Sequence, residues 1–516
     1  MPEQDHPNPE APLEGPQTDR HPEKGGQGTK WSVALAIAII GMICSLAQHI
    51  PFVSDDYVSM ESLLSLGYQE PFSRNWSNHG FFALKGKPIF QFDAQGGSEK
   101  DVYSNHPPLS YWLIFLGVKI FGPSTAGFRS MPILMTALTA FLLALYATRK
   151  SGAWAGLAAG LIYATLPMTF FFGRNANFET FIAFFGTAAV ILTIEAKGKW
   201  GLALSSLLWF TTGFTDWVAL FLALSFLVVH LSALKKLRFT PRHAIMAVLV
   251  SFSVYAVLLS FWVGSPFTAI ALLSDAANGG IKEDDWHNWG KYFANQKTFW
   301  NRYYAISGIT LASLGVLVGI YQICRRRCSE MMILSMTWAL TAVVNVAVFL
   351  NRSKDHEFWW FYASPAIALF GAMFFSRVFR INRMVGVILL AALLLLNMNR
   401  TFQTYEVISS FSKEIENSLS DSRFDEDTLI LDVFKGKIVP RNFSPKADYI
   451  TIRNDLPLVH GVIHDFLTGK LDKKRLVVWY AADIDERLQL QLQVFIFNGA
   501  KHETDGKTSL LIFERN

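Results

Sequence analysis

The chain alternates long apolar segments with short polar connections between residues 31 and 399. The first apolar segment, Trp31–Ile50, is long enough to cross a bilayer and has no small-residue cleavage site behind it, so we expect a retained membrane anchor. Ten further segments follow at about Phe128–Thr148, Ala153–Phe172, Phe178–Ala196, Leu202–Gly213, Trp217–Leu234, His243–Gly264, Ala305–Cys324, Met331–Leu350, Phe358–Ser376 and Met384–Met398. The pattern predicts an all-α polytopic membrane protein with about eleven transmembrane helices.

Lysine and arginine residues gather in alternate connections between these segments. Because cytoplasmic loops are enriched in basic residues, we expect these connections and the N-terminus to be cytoplasmic, and the other loops to be extracytoplasmic. This alternation requires Pro107–Phe121, a short segment that contains Lys119, to lie at the outer interface as a helix instead of crossing. The clusters are Arg149 with Lys150, Lys197 with Lys199, Lys235 to Arg242, Arg325–Arg327, and Arg377 to Arg383.

The two ends of the chain differ from its middle. Residues 1–30 are rich in Pro, Glu, Gln and Gly, which predicts a disordered cytoplasmic tail. A transmembrane domain then covers residues 31–399, with a first outer loop at 51–127, and residues 400–516 are predicted to form a small soluble α/β domain outside the membrane. The predicted strands are Thr428–Phe434, Tyr449–Ile452, Leu476–Tyr480 and Ser509–Phe513, and the predicted helices are Tyr405–Leu419, Leu456–Leu467 and Ile484–Phe497.

Composition narrows the class of protein. With 51% hydrophobic and 17% charged residues, the chain is not one soluble domain with an ordinary surface. The net charge of +5 is spread over short clusters and gives no basic face for nucleic acid. None of the three cysteines lies in a long polar segment, so we expect neither a disulfide framework nor a thiolate metal site.

Two adjacent carboxylates, Asp55 and Asp56, directly follow the first apolar segment. A carboxylate pair at the mouth of a membrane helix is costly to desolvate and is typical of an ion path or a catalytic site. The alternative is that the pair simply begins a hydrated loop. Other polar residues that the topology places on the same outer face are Lys85, His106, Arg129, Arg174, Glu179, Asp216, Arg352 and His356.

Carboxylates and cations at one membrane surface suit a reaction between an anionic lipid headgroup and a hydroxyl or amine. The carboxylate takes the acceptor proton, and the cations stabilise a departing phosphate. The alternative for each cation is that its stem lies along the membrane while its charge reaches the headgroups. A divalent metal is also possible, with Asp56, His79 and His106 as candidate ligands, although no ligand-spacing motif joins them.

These motifs, in this order, resemble the GT-C glycosyltransferases that use polyprenyl-phosphate sugars, and in particular the group of protein O-mannosyltransferases and lipid A aminoarabinose transferases. The chain also departs from that group. His106 stands where the aminoarabinose transferases usually have Lys, and Asp216 lies where many bacterial relatives have a Lys-Gly pair. The similar motifs are Asp55-Asp56, His106-Pro-Pro-Leu109, Phe121-Gly122 with Arg129 and Pro132, and Arg174-Asn-Ala-Asn-Phe-Glu179.

The resemblance implies an inverting glycosyltransferase that moves a sugar from a polyprenyl-phosphate donor to a lipid, glycan or protein acceptor on the outer face. Such an enzyme would be a multi-pass protein of the bacterial inner membrane, with no certain cofactor. Asp55, followed by Asp56, is the candidate general base. The candidate phosphate ligands are His106, Arg129, Arg174, Arg352 and His356, and the further site candidates are Glu179, Lys85 and Asp216.

Two other classes of protein are compatible with the pattern. A lipid-linked sugar transporter or flippase would also have many membrane helices, but it should carry ionisable residues deep within them. A non-catalytic membrane scaffold would use its exported domain to bind a partner. Clustering of the ionisable residues at one surface favours the enzyme over the transporter.

Overall fold

The structure, a computed structural model, is mostly helical and describes residues 31–55, 69–89, 102–233, 241–279, 289–325, 328–353, 356–419, 428–434, 448–453, 475–481, 501–504 and 508–514. Its helices in the first half are α1 (Trp31–His49), α2 (Glu70–His79), α3 (Leu109–Phe121), α4 (Thr125–Ser151), α5 (Ala153–Thr165), α6 (Pro167–Phe172), α7 (Glu179–Glu195), α8 (Gly198–Gly213) and α9 (Val218–Ala233). Those in the second half are α10 (Arg242–Val263), α11 (Pro266–Gly279), α12 (Trp289–Tyr303), α13 (Ala305–Cys324), α14 (Glu330–Val348), α15 (Leu350–Ser353), α16 (Ser364–Ile381) and α17 (Arg383–Leu419). The described residues also include two 3₁₀ turns. Ile50–Phe52 follows α1, and Glu357–Ala363 precedes α16.

Seven of the described helical segments are long and apolar enough to cross a membrane. They are built on α1, α4, α10, α13, α14, α16 and α17, whereas α3, α5 and α9 are apolar but shorter. The predicted number of eleven spans depends on counting shorter helices, so that number stays a prediction. Helix α3 has 13 residues and rises about 20 Å, less than the roughly 30 Å of a bilayer core, as expected for an interfacial helix.

The segment Ala153–Phe172, predicted as one span, is two helices. Helix α5 ends at Thr165, Leu166 is extended, and Pro167 begins α6. Proline has no N–H and disfavours helical geometry in the residue before it, so the break falls at this position. The Thr169 hydroxyl donates to the carbonyls of Tyr163 (2.6 Å) and Leu166 (2.8 Å). It therefore supplies a hydrogen-bond donor where Pro167 has none, inside the bundle. After the break, Phe170 of α6 packs against Phe52, with ring centroids 5.1 Å apart.

Small residues let the central helices approach closely. A Cβ on Gly41 in α1 would lie 3.2 Å from the Cα of Gly160 in α5, so neither position has room for a side chain without a shift. Membrane helices associate through such contacts because lipid supplies no hydrophobic driving force between them. Helix α1 therefore packs firmly on α4 and α5, and its end is a rigid support for the residues that follow.

The basic clusters and the candidate site lie at opposite ends of this bundle. At one end, Arg149 Nη1 is 2.6 Å from Glu195 Oε2, Lys150 Nζ is 2.7 Å from Glu330 Oε2, and the Arg149 guanidinium lies over the ring of Trp31. These contacts join the start of α1 to the ends of α4 and α7 and the start of α14. The other ends of α1, α4 and α7 carry Asp55, Arg129 and Glu179, so these three predicted site residues share one end of the bundle, while the ion pairs occupy the other.

The described strands of the C-terminal region form one five-stranded sheet in the order β2-β1-β3-β5-β4. Strands β1 and β2, and β1 and β3, are parallel, while β5 is antiparallel to both β3 and β4. The four predicted strands are present, and β4 was not predicted. The helix predicted at Tyr405–Leu419 is not separate, because it continues α17, while the helices predicted at 456–467 and 484–497 lie outside the described residues. The strands are β1 (Thr428–Phe434), β2 (Asp448–Arg453), β3 (Arg475–Ala481), β4 (Lys501–Thr504) and β5 (Thr508–Glu514).

Candidate active site

Asp55 lies just beyond the end of α1. Pro51 occupies the 3₁₀ turn that follows His49, and the N–H groups of Val53 and Asp55 donate to the carbonyls of Ile50 (3.2 Å) and Phe52 (3.3 Å). These tight turns hold the chain against the top of the helix, so the Asp55 side chain is half-buried. Its predicted companion Asp56 lies outside the described residues.

The backbone before and at Asp55 is held by Arg129, which lies in the first turns of α4. The Arg129 side chain is fully buried, and its Nη1 donates to the carbonyls of Phe52 (2.7 Å), Val53 (3.3 Å) and Asp55 (2.6 Å). Hydrogen bonds from a charged donor are roughly twice as strong as neutral ones. Arg129 therefore fixes the position of the acidic motif, while the phosphate contact predicted for it stays a prediction.

A second residue, Tyr405, holds the side chain of Asp55. The Tyr405 hydroxyl donates to Asp55 Oδ2 at 2.8 Å, and its ring packs edge-on against Phe52, with centroids 5.1 Å apart. Sequence reasoning missed this residue because it placed a domain boundary at residue 400. The signal that would have found it is the helical pattern of α17, which continues without a breaker past Met398.

The Tyr405→Phe variant should lower transfer about 10-fold and lower the unfolding temperature modestly. It removes one hydrogen bond to a charged group, which contributes about 1.5–3 kcal/mol, and it keeps the ring contacts. The measurement is the initial rate of sugar transfer, together with the unfolding temperature in detergent. Tyr321→Phe, at an exposed position on α13, is the matched control. Equal rates for Tyr405→Phe and wild type would show that the bond does not assist Asp55.

Arg174 lies in the short loop between α6 and α7, next to the same aromatic cluster. Its side chain is fully buried, and its guanidinium carbon is 4.7 Å from the ring centroid of Phe170 and 5.6 Å from that of Tyr405. The Thr136 hydroxyl donates to the Gly173 carbonyl at 2.6 Å and anchors the loop to α4. Aromatic faces attract a guanidinium, so these rings hold a buried positive charge on the Asp55 side of the site.

His106, Glu179 and Asp216 form a second group on the other side of this loop. His106 Nδ1 is 3.4 Å from Asp216 Oδ1, within ion-pair distance but without hydrogen-bond geometry. The His106 ring also stacks on Phe178, with centroids 4.2 Å apart, and Phe178 directly precedes Glu179. Both carboxylates are almost fully buried, at 2% exposure for Glu179 and 1% for Asp216. Three of the predicted site residues are therefore brought together.

The segment that carries His106 is held from two neighbouring elements. The Trp217 indole donates to the Asn105 carbonyl at 2.5 Å, and the Tyr255 hydroxyl donates to the Ser104 carbonyl at 2.9 Å. Asp216 Oδ1 also accepts from the Val218 N–H at 3.2 Å, which caps the start of α9. Asp216 thus has a local structural role in addition to its contact with His106.

The polar segment at residues 351–357, which carries the predicted phosphate ligands Arg352 and His356, is anchored to α12 through Glu357. The Tyr303 hydroxyl donates to Glu357 Oε1, and Arg302 Nη1 lies 3.2 Å from Glu357 Oε2. Burial and the nearby Glu357 charge raise the pKa of Tyr303 well above its usual value, so the hydroxyl stays protonated and keeps donating. Phe172 of α6 packs against Tyr303, with ring centroids 5.2 Å apart, which joins this segment to the loop of Arg174.

The two predicted phosphate ligands of this segment are placed differently. His356 is half-buried, and its ring lies 5.2 Å from that of Phe358. Arg352 belongs to the short helix α15, but its side chain is outside the described residues. The segment therefore lies near α6, and a phosphate contact from either residue remains a prediction.

Lys85 and His79 lie in the first outer loop. Lys85 is exposed, its Nζ lies 4.7 Å from the ring centroid of Phe261, and its carbonyl accepts from the Trp262 indole at 3.0 Å, so it packs on the end of α10. His79 ends α2 and is exposed. In the part of the chain that the structure describes, no three His, Cys, Asp or Glu side chains are arranged to hold a metal ion. The metal site predicted from Asp56, His79 and His106 is therefore supported by the sequence alone.

Comparison with known proteins agrees with this arrangement. Residues 105–262 match the family described as dolichyl-phosphate-mannose-protein mannosyltransferase. The structure is similar to that of ArnT from Cupriavidus metallidurans bound to undecaprenyl phosphate, with a TM-score of 0.58 and 11% identity over 94% of this chain and 98% of that one. The predicted GT-C resemblance is confirmed.

Two further comparisons complete this picture. The apo state of the same ArnT gives a TM-score of 0.53 at 11% identity, covering 93% of this chain and 98% of that chain. An uncharacterised protein of Aquifex aeolicus is 34% identical over 126 residues, a match that spans 23% of this chain and 24% of that relative. At these levels the structural likeness shows a common fold, and the reaction must be argued from the site.

Proposed function

We propose that this protein is an inverting glycosyltransferase that moves a sugar from a polyprenyl-phosphate donor to an acceptor on the outer face of the membrane. The observation that carries the proposal is the fixation of Asp55 from two directions. Arg129 holds its backbone carbonyl at 2.6 Å, and Tyr405 holds its carboxylate at 2.8 Å. A carboxylate held this firmly beside a buried guanidinium is suited to directed proton transfer next to an anionic group.

The reaction is a single displacement at the anomeric carbon. The acceptor oxygen or nitrogen attacks this carbon from the face opposite the phosphate, and its proton passes to the Asp55 carboxylate. The bond from the anomeric carbon to the phosphate oxygen breaks, and its electron pair leaves with the polyprenyl phosphate. One displacement inverts the anomeric configuration, and Asp55 then returns its proton to solvent.

The donor class is supported by the comparisons. One structural neighbour, ArnT, was crystallised with undecaprenyl phosphate, and the matching family is described by its use of dolichyl-phosphate mannose. Both are polyprenyl phosphates. A lipid-linked donor also suits a site at the end of a helix bundle, because the prenyl chain can remain in the membrane while its phosphate reaches the polar end.

The donor phosphate is proposed to bind beside Arg174, with contributions from His106, Arg352 and His356. Arg174 is the strongest candidate because its charge is buried next to Tyr405, whose hydroxyl donates to Asp55. In a site shielded from water, a fixed cation stabilises the negative charge on a leaving phosphate more strongly than a hydrated one. The Asp55 side of the site then binds phosphate and acceptor together.

Arg352→Ala should reduce catalytic efficiency more than Lys354→Ala does. A guanidinium can bind two phosphate oxygens at once, so its loss should cost on the order of 2–4 kcal/mol of transition-state stabilisation. The kcat/KM for a polyprenyl-phosphate sugar measures the effect, with Lys354→Ala as a neighbouring control. Unchanged donor affinity and turnover in both Arg352→Ala and His356→Ala would remove this segment from the proposed site.

The proposed function is tested with purified, membrane-inserted protein and a panel of labelled polyprenyl-phosphate sugars. We expect release of free polyprenyl phosphate with transfer of label to a lipid, glycan or protein fraction. The Glu195→Gln variant alters the ion pairs at the opposite end of the bundle and should retain activity. Movement of intact labelled donor across the bilayer without cleavage would contradict a transferase and favour a flippase.

A further inference from the structure

The site contains three buried polar groups that the proposed proton transfer does not use. They are Glu179 Oε1, Asp216 Oδ2 and the Tyr362 hydroxyl, and none has a hydrogen-bond partner among the described residues. The side chains of Glu179, Asp216 and Tyr362 are exposed by only 2%, 1% and 1%. A buried polar group without a hydrogen-bond partner lowers the stability of the fold by about 1–3 kcal/mol, so native proteins rarely contain several together.

These groups belong to one cluster although they come from three separate elements. Glu179 begins α7, Asp216 precedes α9, and Tyr362 lies in the 3₁₀ turn before α16. Helix α7 packs against both α9 and the 3₁₀ turn Glu357–Ala363, so the three side chains come from elements in direct contact, and they also interact electrostatically. His106 closes one side of the cluster through its 3.4 Å approach to Asp216. No other ion pair to either carboxylate occurs in the portion of the chain that is described.

Neighbouring side chains add hydrogen-bond donors to this set. Trp338 Nε1 and Asn177 Nδ2 are buried and have no acceptor among the residues described here. The Trp338 ring lies parallel to that of Tyr362, with centroids 6.4 Å apart, and Asn177 lies two residues before Glu179. The indole N–H can only donate, whereas an ionised carboxylate can only accept.

This mixture of donors and acceptors identifies the chemistry of the matching ligand. An ammonium group only donates, so it can satisfy the carboxylates but not the indole or the amide N–H. A phosphate only accepts when ionised, so it cannot donate to a carboxylate oxygen, and any ionised carboxylate would repel it. A hydroxyl both donates and accepts. Several hydroxyls on one ring can therefore satisfy the whole cluster.

We propose that Glu179, Asp216 and Tyr362 form the subsite that binds the transferred sugar through at least two of its free hydroxyl groups. This inference rests on the proposed function and names the part of the site that recognises the sugar. The loop from Arg174 to Glu179 links the two halves: its start carries the buried cation of the phosphate side, and its end carries the first carboxylate of the sugar side.

The test compares two ligands that differ only in the sugar. Binding of undecaprenyl phosphate and of undecaprenyl-phosphate hexoses is measured in nanodiscs, by direct titration in the absence of acceptor. Wild type should bind its preferred hexose-linked lipid at least about 10-fold more tightly than the bare lipid. Glu179→Gln and Asp216→Asn should reduce this ratio to within about 3-fold of unity. Glu179→Gln should leave the affinity for bare undecaprenyl phosphate unchanged, whereas Asp216→Asn removes the charge next to His106 and is compared through the ratio alone.

Two further variants keep the test decisive. Tyr362→Phe removes one hydroxyl from a buried ring and should lower the ratio several-fold, even if a carboxylate variant fails to fold. Glu195→Gln lies at the opposite end of α7, about 24 Å away, and should leave both affinities unchanged.

The outcomes separate this inference from the proposed function. A wild-type preference for the hexose-linked lipid that survives in Glu179→Gln, Asp216→Asn and Tyr362→Phe would overturn the subsite, while the transferase proposal would stand. Equal wild-type affinity for the preferred hexose-linked lipid and for its deoxy analogues would overturn the hydroxyl assignment. Absence of binding to either lipid in wild type would contradict the proposed function itself.

Discussion

Replacing Asp55 with asparagine should lower sugar transfer at least about 100-fold while the protein remains folded in the membrane. Asparagine has nearly the same shape and can still accept the Tyr405 hydrogen bond through its amide oxygen. It cannot take up a proton from the acceptor. General base catalysis contributes about 10²- to 10⁴-fold to a rate, so its loss should appear mainly in kcat. The measurement is transfer to a saturating acceptor, with donor affinity determined separately.

The neighbouring carboxylate supplies the comparison. Asp56→Asn should have a smaller effect than Asp55→Asn, because Asp55 is the residue whose backbone and side chain are held by Arg129 and Tyr405. Glu195→Gln controls for the loss of one carboxylate elsewhere. A wild-type transfer rate in Asp55→Asn, or a larger loss of rate in Asp56→Asn, would show that Asp55 is not the general base.

The membrane helices and their relative orientation follow from the order of apolar and basic residues along the sequence. Apolar segments of bilayer length predict membrane helices, and basic connections predict which helix ends lie together. The contacts of Arg149 and Lys150 with Glu195 and Glu330 place these residues at one end of the bundle, opposite Asp55. The break at Leu166 was missed because the segment stays apolar through it, although Pro167 marks the position.

Contacts between distant parts of the chain were harder to predict. Tyr405 reaches Asp55 across 350 residues, and this pair depends on how α17 packs against the top of α1. Arg129 was recognised as a site residue, but its three carbonyl acceptors come from the turn after α1, and no local pattern specifies them. Sequence analysis therefore selected most of the residues that the structure brings together here, but it could not assign their partners.

The same limit applies to the acidic side of the site. Glu179 and Asp216 were selected from the sequence one by one, as outer-face carboxylates. Their burial beside Tyr362 depends on the packing of α7, α9 and the turn before α16, which is a property of the whole bundle. Tyr362 itself carried no signal, because an aromatic residue in an apolar segment is usually part of the core.

Arg129→Met should abolish most activity and also destabilise the protein. Methionine fills similar apolar space but leaves the carbonyls of Phe52, Val53 and Asp55 without their charged donor. We expect a loss of about 3 kcal/mol or more, seen as a lower unfolding temperature. A displacement of about 1 Å at a reacting group can lower a rate about 100-fold. Turnover should therefore fall at least about 100-fold even at temperatures where the variant is folded.

Arg149→Met is the matched control, because Arg149 lies at the opposite end of the same helix and its side chain is 33% exposed in an ion pair with Glu195. Partly exposed ion pairs contribute about 0–1 kcal/mol, so this variant should change stability little and activity not at all. A folded Arg129→Met protein with wild-type turnover would show that Asp55 does not need this support. Loss of turnover with unchanged stability would instead indicate that Arg129 contacts the donor phosphate directly, as the sequence predicts.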